Sequence, residues 1–357
     1  MFTLDFFKNK TVLVTGYTGF KGSWLCEILL LSGARVIGYG LEPPTKPNLF
    51  SLIGLSNDIV CVKGDVRDFP KVRSTILLYK PEIVIHLAAQ PIVLASYKKP
   101  RYTFETNVMG TVNVLEAIRV AGCVKSFLNV TTDKVYENND VPNHRFSEEE
   151  KLDGFDPYSN SKSCSELVTH SYERSFFKDS NTRVSTARAG NVIGGGDFAK
   201  NRIIPDAVRA IVSNRKIEVR NRLSTRPYQF VLEPLFVYLM IIESQYEDPR
   251  FQGCYNVGPD SEDAITTGDL ICRFCALWGD GLTWVDRTNA VSFHEAGYLA
   301  LDNSKLKETF GWSPVYHIDE ALSRIVEWTK AWISGDQAGV LNIVDNQIFS
   351  FAKEFKK

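Results

Sequence analysis

Net charge is nearly absent from this chain: 41 lysines and arginines face 42 aspartates and glutamates, for a formal charge of -1. No overall positive field exists to hold a polyanion, so nucleic acid is excluded as a general partner. Long apolar runs are missing too, and none reaches membrane-spanning length. Met1–Lys10 is too polar for a signal peptide, so a cytoplasmic location is expected. No internal repeat or low-complexity segment occurs. The seven cysteines, Cys26, Cys61, Cys123, Cys164, Cys254, Cys272 and Cys275, are odd in number and scattered, which gives no disulfide framework. Most are expected to be reduced, buried small hydrophobes. Cys272 and Cys275 form a C-x-x-C pair, but with no second pair or nearby histidine no metal is expected.

What is present is an ordinary globular balance, 44% hydrophobic and 23% charged over 357 residues, enough for two lobes. Apolar runs at Thr11–Val14, Arg35–Tyr39, Ile59–Val62, Ile83–His86, Ser126–Val130 and Arg183–Arg188 read as strands. Between them, Phe20–Leu31, Phe69–Tyr79, Tyr102–Ala121 and Tyr158–Phe177 carry apolar residues at helical spacing. That alternation predicts an α/β fold with a parallel sheet covered by helices on both faces. After Asn191 the pattern becomes irregular, as in a smaller substrate lobe, although Val231–Ile242 reads as a helix that covers the sheet.

The first strand runs into Gly16-Tyr17-Thr18-Gly19-Phe20-Lys21-Gly22, a G-x-x-G-x-x-G loop opening a helix. Glycine lets a pyrophosphate approach the free amides of a helix start, so the loop is a candidate dinucleotide cradle. By itself it could equally be a tight turn. Asp65 and Val66 follow the third strand, and Leu87, Ala88, Ala89 and Gln90 follow the fourth, where ligands of open parallel sheets bind. Asp65 is the candidate acceptor for an adenine amine, and Thr106 and Asn107 complete the candidate cofactor contacts. The second strand ends in Gly38-Tyr39-Gly40-Leu41-Glu42 without the immediate acid expected to hold the ribose of NAD. Glu42 is either that acid or a solvated loop carboxylate.

Two segments carry chemistry. Val130-Thr131-Thr132-Asp133-Lys134 follows the fifth strand, and Asp156-Pro157-Tyr158-Ser159-Asn160-Ser161-Lys162 opens a helix. Tyr158 and Lys162, four apart, share a helical face. A nearby ammonium and an oxidised nicotinamide both stabilise a phenolate, which would make Tyr158 a base. Alone, such a pair is also what a solvated helix face carries.

In this order the motifs resemble the extended short-chain dehydrogenase/reductase superfamily. Within it, Thr15–Leu25, His86–Pro91, Thr131–Lys134, Ala187–Asp197 and His294–Tyr298 resemble the CDP-glucose branch of the sugar-nucleotide 4,6-dehydratases. That branch carries Asp-Lys where its relatives carry Asp-Glu. Tyr17 stands where the branch usually has histidine, and Val135 where it has cysteine. The resemblance implies a Rossmann-type doubly wound sheet over 1–190 and a smaller mixed lobe over 191–357, with about 228–258 returning to the sheet.

It also implies NAD as cofactor and a nucleotide sugar as substrate, CDP-glucose in this branch. Tyr158, Lys162, Thr132, Asp133 and Lys134 would be catalytic, with Asp133 the acid for the C6 hydroxyl and Lys134 the base for the C5 proton. Burial beside Lys162 would favour a neutral Lys134. Asn191, Arg202, Arg226, Asn256 and Tyr298 would bind substrate, with Arg226 the leading diphosphate clamp. No metal is implied. Dimers or tetramers built on Tyr102–Ala121 and Tyr158–Phe177 are the family habit, and the product would feed deoxysugars of surface polysaccharides. A dehydratase of another nucleotide sugar, an epimerase and a non-catalytic NAD sensor are the rival readings. An epimerase has no use for Asp133 and Lys134.

Overall fold

The computed structural model describes residues 4–288 and 297–355. Its strands are β1 (Thr11–Thr15), β2 (Arg35–Gly40), β3 (Val60–Lys63), β4 (Ile83–His86), β5 (Ser126–Thr132), β6 (Arg183–Ala189), β7 (Asn191–Ile193), β8 (Ile217–Val219), β9 (Thr225–Phe230), β10 (Cys254–Val257), β11 (Ala264–Thr266) and β12 (Trp284–Asp286). Seven of them form one parallel sheet in the order β10-β6-β5-β4-β1-β2-β3. This agrees with the expected doubly wound sheet, and β10 joins it from late in the chain.

Strands buried on both faces read as continuous apolar runs, and their alternate side chains feed two separate cores. Val12 and Val14 of β1 and Ile83 and Ile85 of β4 enter one core with Trp24, Leu25 and Ile28 of the helix Phe20–Leu31. Leu13 and Val84 point the other way, toward Val114, Leu115 and Ile118 of the helix Gly110–Ala121. The helix Leu232–Glu247 is apolar nearly all round and lies in the first core against β5 and β6, and the helices Ile318–Ile333 and Gln337–Glu354 share that core. Phe236 meets Phe351 there with ring centroids 4.9 Å apart.

Beyond β6 the chain builds a three-stranded sheet, β11-β9-β7, and a two-stranded one, β12-β8, above the carboxyl ends of the large sheet. The two long helical runs each contain a wider π turn, at Glu105–Met109 and Glu173–Phe177. All seven cysteines are free, but they are less buried than expected. Only Cys26 is buried, whereas Cys61 and Cys272 are exposed. Cys61 sits on the outward face of β3, the edge strand, and Cys272 on the solvent face of the helix Thr267–Trp278.

Strand order reverses between β1 and β4, and the loops after these two strands meet there. Gly16 has φ +73°, and a Cβ on it would lie 2.8 Å from the Ala88 nitrogen. On Gly22 a Cβ would come within 2.2 Å of the Gly16 carbonyl oxygen, a backbone atom that cannot step aside. Gly22→Ala is therefore expected to cost about 1–3 kcal/mol by overpacking. Thermal denaturation checks this as a Tm several degrees below wild type.

Candidate active site

The helix Pro157–Tyr172 begins in a way its sequence dictates. Asp156 caps it, accepting from the Tyr158 and Ser159 amides at 2.9 and 3.1 Å, and Pro157 takes the first position, where no amide is needed. The cap fixes the turn from which Tyr158 projects. Tyr158 is buried, and burial pushes its phenol up to about 12, with the Thr132 hydroxyl beside it pulling the other way and the Asp133 charge adding to the rise. Burial thus outweighs the Thr132 hydroxyl and the Arg202 charge in the protein alone. The Lys162 ammonium donates to the Val130 carbonyl at 2.9 Å and is lowered to about 8 by burial, against the charge of Glu166.

At the end of β5, Thr132 donates its hydroxyl to Asp133 Oδ1 at 2.9 Å. Asp133 is 1% exposed, yet its Oδ2 has no hydrogen-bond partner. A buried carboxylate oxygen left open is costly unless a ligand completes it. Lys134 follows, half-buried and without an ion-pair partner among the described residues.

Thr132, Asp133, Lys134 and Tyr158 line one cleft of about 370 Å³ between the large sheet and the lobe. Lys21, Asn191, Arg202 and Arg226 line it as well. Arg226 is 2% exposed and donates to the Thr225 carbonyl at 2.8 Å. Arg202 pairs with the buried Asp197 at 2.9 Å. Arg220 reaches the cleft, whereas Arg222 pairs with Asp286 at 2.9 Å. Asn256 lies behind the wall. It is fully buried and accepts from the Tyr136 hydroxyl at 2.6 Å while donating to the Phe146 carbonyl at 2.7 Å, so both ends of its amide are spent inside the protein. Tyr298 bridges to Thr225 at the lobe's edge, and its carbonyl accepts from Asn138 at 2.9 Å. His294, Glu295 and Ala296 lie outside the described residues.

The candidate cofactor residues surround the switch point. Thr18 donates to the Leu41 carbonyl at 2.9 Å, and Thr15 accepts from the Ala88 amide at 3.1 Å. Leu87 is bonded through its amide to β1, and Ala89 continues that loop into Gln90. The Gln90 amide donates to Asn107 Oδ1 at 2.8 Å. Val66 is buried, with its Cγ2 2.8 Å from where a Gly110 Cβ would be. Asp65 holds Arg67 through both oxygens, the shorter contact being 2.7 Å, and Glu42 pairs with Lys63 on the surface. Phe20 reaches the cleft from the first helical turn. The buried Thr106 hydroxyl, like Asp133 Oδ2, has no partner. A glycine cradle with no room for Cβ atoms, together with this open hydroxyl, fits a bound dinucleotide.

Three features escape motif reading. Tyr238, fully buried on the covering helix, comes within 3.5 Å of Lys21 Nζ, a contact between residues 217 apart in sequence. Burial, then the charges of Lys162 and Arg202, pushes Lys21 down to about 7. Tyr17 lies over Gly38, where a Cβ would meet its ring at 2.5 Å, which explains the glycine in a strand that lacks the expected acid. Glu166 alone left a readable trace, one turn beyond Lys162 on the same helical face.

Residues 13–325 match the family model described as GDP-mannose 4,6 dehydratase. The CDP-glucose 4,6-dehydratase of Salmonella typhimurium is 46% identical over 344 residues, covering 94% of this chain and 95% of that protein. Among solved structures, the UDP-glucose 4-epimerase of Thermotoga maritima with UDP-glucose superposes with a TM-score of 0.78 at 22% identity, covering 90% and 99% of the two chains. The dTDP-glucose 4,6-dehydratase of Bacillus anthracis in complex with NAD gives 0.74 at 22%, covering 94% and 99%. These two likenesses establish the fold. With its family model matched over most of its length and a relative so close along nearly all of it, the chain belongs to the sugar-nucleotide 4,6-dehydratase family.

Proposed function

We propose that this chain converts CDP-glucose to its 4-keto-6-deoxy product by an internal redox dehydration that uses NAD. The carrying observation is that Asp133 and Lys134 share one cleft wall with Tyr158. Sugar epimerisation needs Tyr158 and Lys162 but gives an acid and an amine beside them nothing to do. The choice of nucleotide follows the relative at 46% identity.

Held by Gly16, Gly19, Gly22 and the residues around Ala88 and Thr106, NAD would supply the acceptor for the C4 hydride and the donor that returns it to C6. Tyr158 takes the C4 hydroxyl proton. Lys162, at about 8, is charged at neutral pH and favours the phenolate that this transfer needs. Thr132 holds the hydroxyl it serves next to Tyr158. The ketone acidifies C5, and Lys134 removes that proton, since no carboxylate among the described residues ties up its amine. Asp133 protonates the departing C6 hydroxyl from a buried site where water cannot compete. Arg202 and Arg226 neutralise the diphosphate.

No described helix is long and apolar enough to cross a membrane, and we read the enzyme as cytoplasmic. Met109, Val120, Leu167 and Phe176 stand exposed on the helical runs 105–121 and 157–177, which supports a dimer built on that face.

Incubation with NAD and CDP-, dTDP- or GDP-linked hexoses is expected to yield a 4-keto-6-deoxy sugar from CDP-glucose first. No such product from any of them overturns the reading. In Lys134→Ala, exchange of the C5 proton with deuterated solvent should fall on the order of 10²- to 10⁴-fold. Exchange at the wild-type rate would remove Lys134 from its role. Leu167→Lys should convert the dimer to a monomer in analytical ultracentrifugation, and an unchanged sedimentation coefficient would direct the search to another face.

A further inference from the structure

Behind the cleft lies a cluster that the dehydration does not use. Glu166 and His170 stand one turn apart on the helix Pro157–Tyr172, Arg188 comes from β6, and Cys254 opens the edge strand β10. His170 Nε2 is 2.9 Å from Cys254 Sγ and 3.5 Å from Glu166 Oε2. That oxygen also accepts from the Thr186 hydroxyl at 2.7 Å and from Arg188 at 3.0 Å. With its lone pairs spent on these donors, Glu166 makes a poor metal ligand. The group is an ion-pair network with a thiol at its rim.

Sulfur and nitrogen at 2.9 Å share a proton, and the surroundings decide where it resides. Bonding to Cys254 and then Glu166 raises His170 to about 9, so the imidazole is charged at neutral pH and donates toward sulfur. The charge of Arg188 adds to the positive field at the thiol. Tyr255 and Glu148 also border the cluster, and burial pushes both up toward their neutral forms. Burial likewise pushes the thiols of Cys26, Cys123, Cys164 and Cys275 up. Among the described residues, Cys254 is the thiol with a histidine partner. It is half-buried and His170 is 22% exposed, which leaves a path for small reagents.

We infer that Cys254, held against His170, is a nucleophilic thiol, that hydroperoxides oxidise it, and that its oxidation is felt at the catalytic loop. In the step, sulfur attacks the terminal oxygen of the hydroperoxide and an S–O bond forms as the O–O bond breaks; the proton that sulfur gives up, relayed through His170, ends on the departing alkoxide, or on hydroxide when the oxidant is hydrogen peroxide, which leaves as an alcohol or as water. Sulfur loses two electrons and the peroxide gains them. The added oxygen pushes into His170 and the Glu166–Arg188 pair. Glu166 accepts from Thr131, and Arg188 donates to the Tyr136 hydroxyl at 2.8 Å, so the disturbance arrives on both sides of Asp133 and Lys134.

The test labels the full-length, NAD-loaded protein with iodoacetamide near neutral pH and reads each cysteine by peptide mass spectrometry, a measurement independent of turnover. Cys254 should react at least about tenfold faster than the exposed Cys61 and Cys272, and His170→Gln should remove that advantage. Hydrogen peroxide should lower wild-type turnover with sulfenate found at Cys254, dithiothreitol should restore it, and Cys254→Ser should turn over normally and resist. Labelling of Cys254 no faster than Cys61, or parallel inactivation of wild type and Cys254→Ser, would overturn the inference.

Discussion

The buried ion pair between Glu166 and Arg188 joins the helix that carries Tyr158 and Lys162 to the sheet whose strand ends carry Asp133 and Lys134. Both side chains are withdrawn from water, at 0% and 1% exposure. Such a pair leans on the other donors and acceptors around it, because removing two charges from water costs more than their attraction returns. Here Thr131 and Thr186 donate to Glu166, while Arg188 donates to Tyr136 and the Glu148 carbonyl, although its buried Nε has no partner. Burial by itself would raise Glu166, yet the Arg188 charge and the hydrogen bonds from His170, Arg188 and Thr131 hold it at about 2, so it stays ionised across the working pH range. The network therefore ties the helix Pro157–Tyr172 to β5 and β6 beneath the cleft.

A second constraint is crowding at the strand-order reversal. Backbone meets backbone there, with the Gly16 and Gly22 positions filled by the Ala88 loop and the Gly16 carbonyl. Small residues at these points belong to the close approach itself, and the cradle they leave is lined with amides. Polar atoms left open at Thr106 and Asp133 lie on the inner side of the same region. A site with unspent buried polar groups is unstable as it stands and is completed by what binds.

Much of this was legible because it is local. Strand-turn-helix around Gly16, the Asp156-Pro157 helix start and the apolar alternation of β1 and β4 are each written within a few residues, and backbone sterics turn them into structure without help from elsewhere. The covering helix Leu232–Glu247 was readable for the same reason. Other features depend on pairs far apart in sequence. Nothing near Asn256 shows that Tyr136 and Phe146 will consume its amide, and nothing near Lys21 announces Tyr238. Cysteine burial misled because hydrophobicity was read without the face: Cys61 alternates outward on an edge strand. The rise in the Tyr158 phenol is a matter of desolvation, which no spacing of residues displays.

The late arrival of β10 and of the helix Leu232–Glu247 also governs how the molecule is made. A nascent chain that has emerged only as far as β9 holds β1 to β6 without their principal cover, so Leu128, Val130, Ala187 and their neighbours have one face bare to water. Pairing of Asn256 with Arg188 must then close across an entire intervening lobe. Non-local closure of this kind is slow, and exposed strand faces are sticky while they wait. The nascent chain is thus most prone to aggregate before β10 has been made.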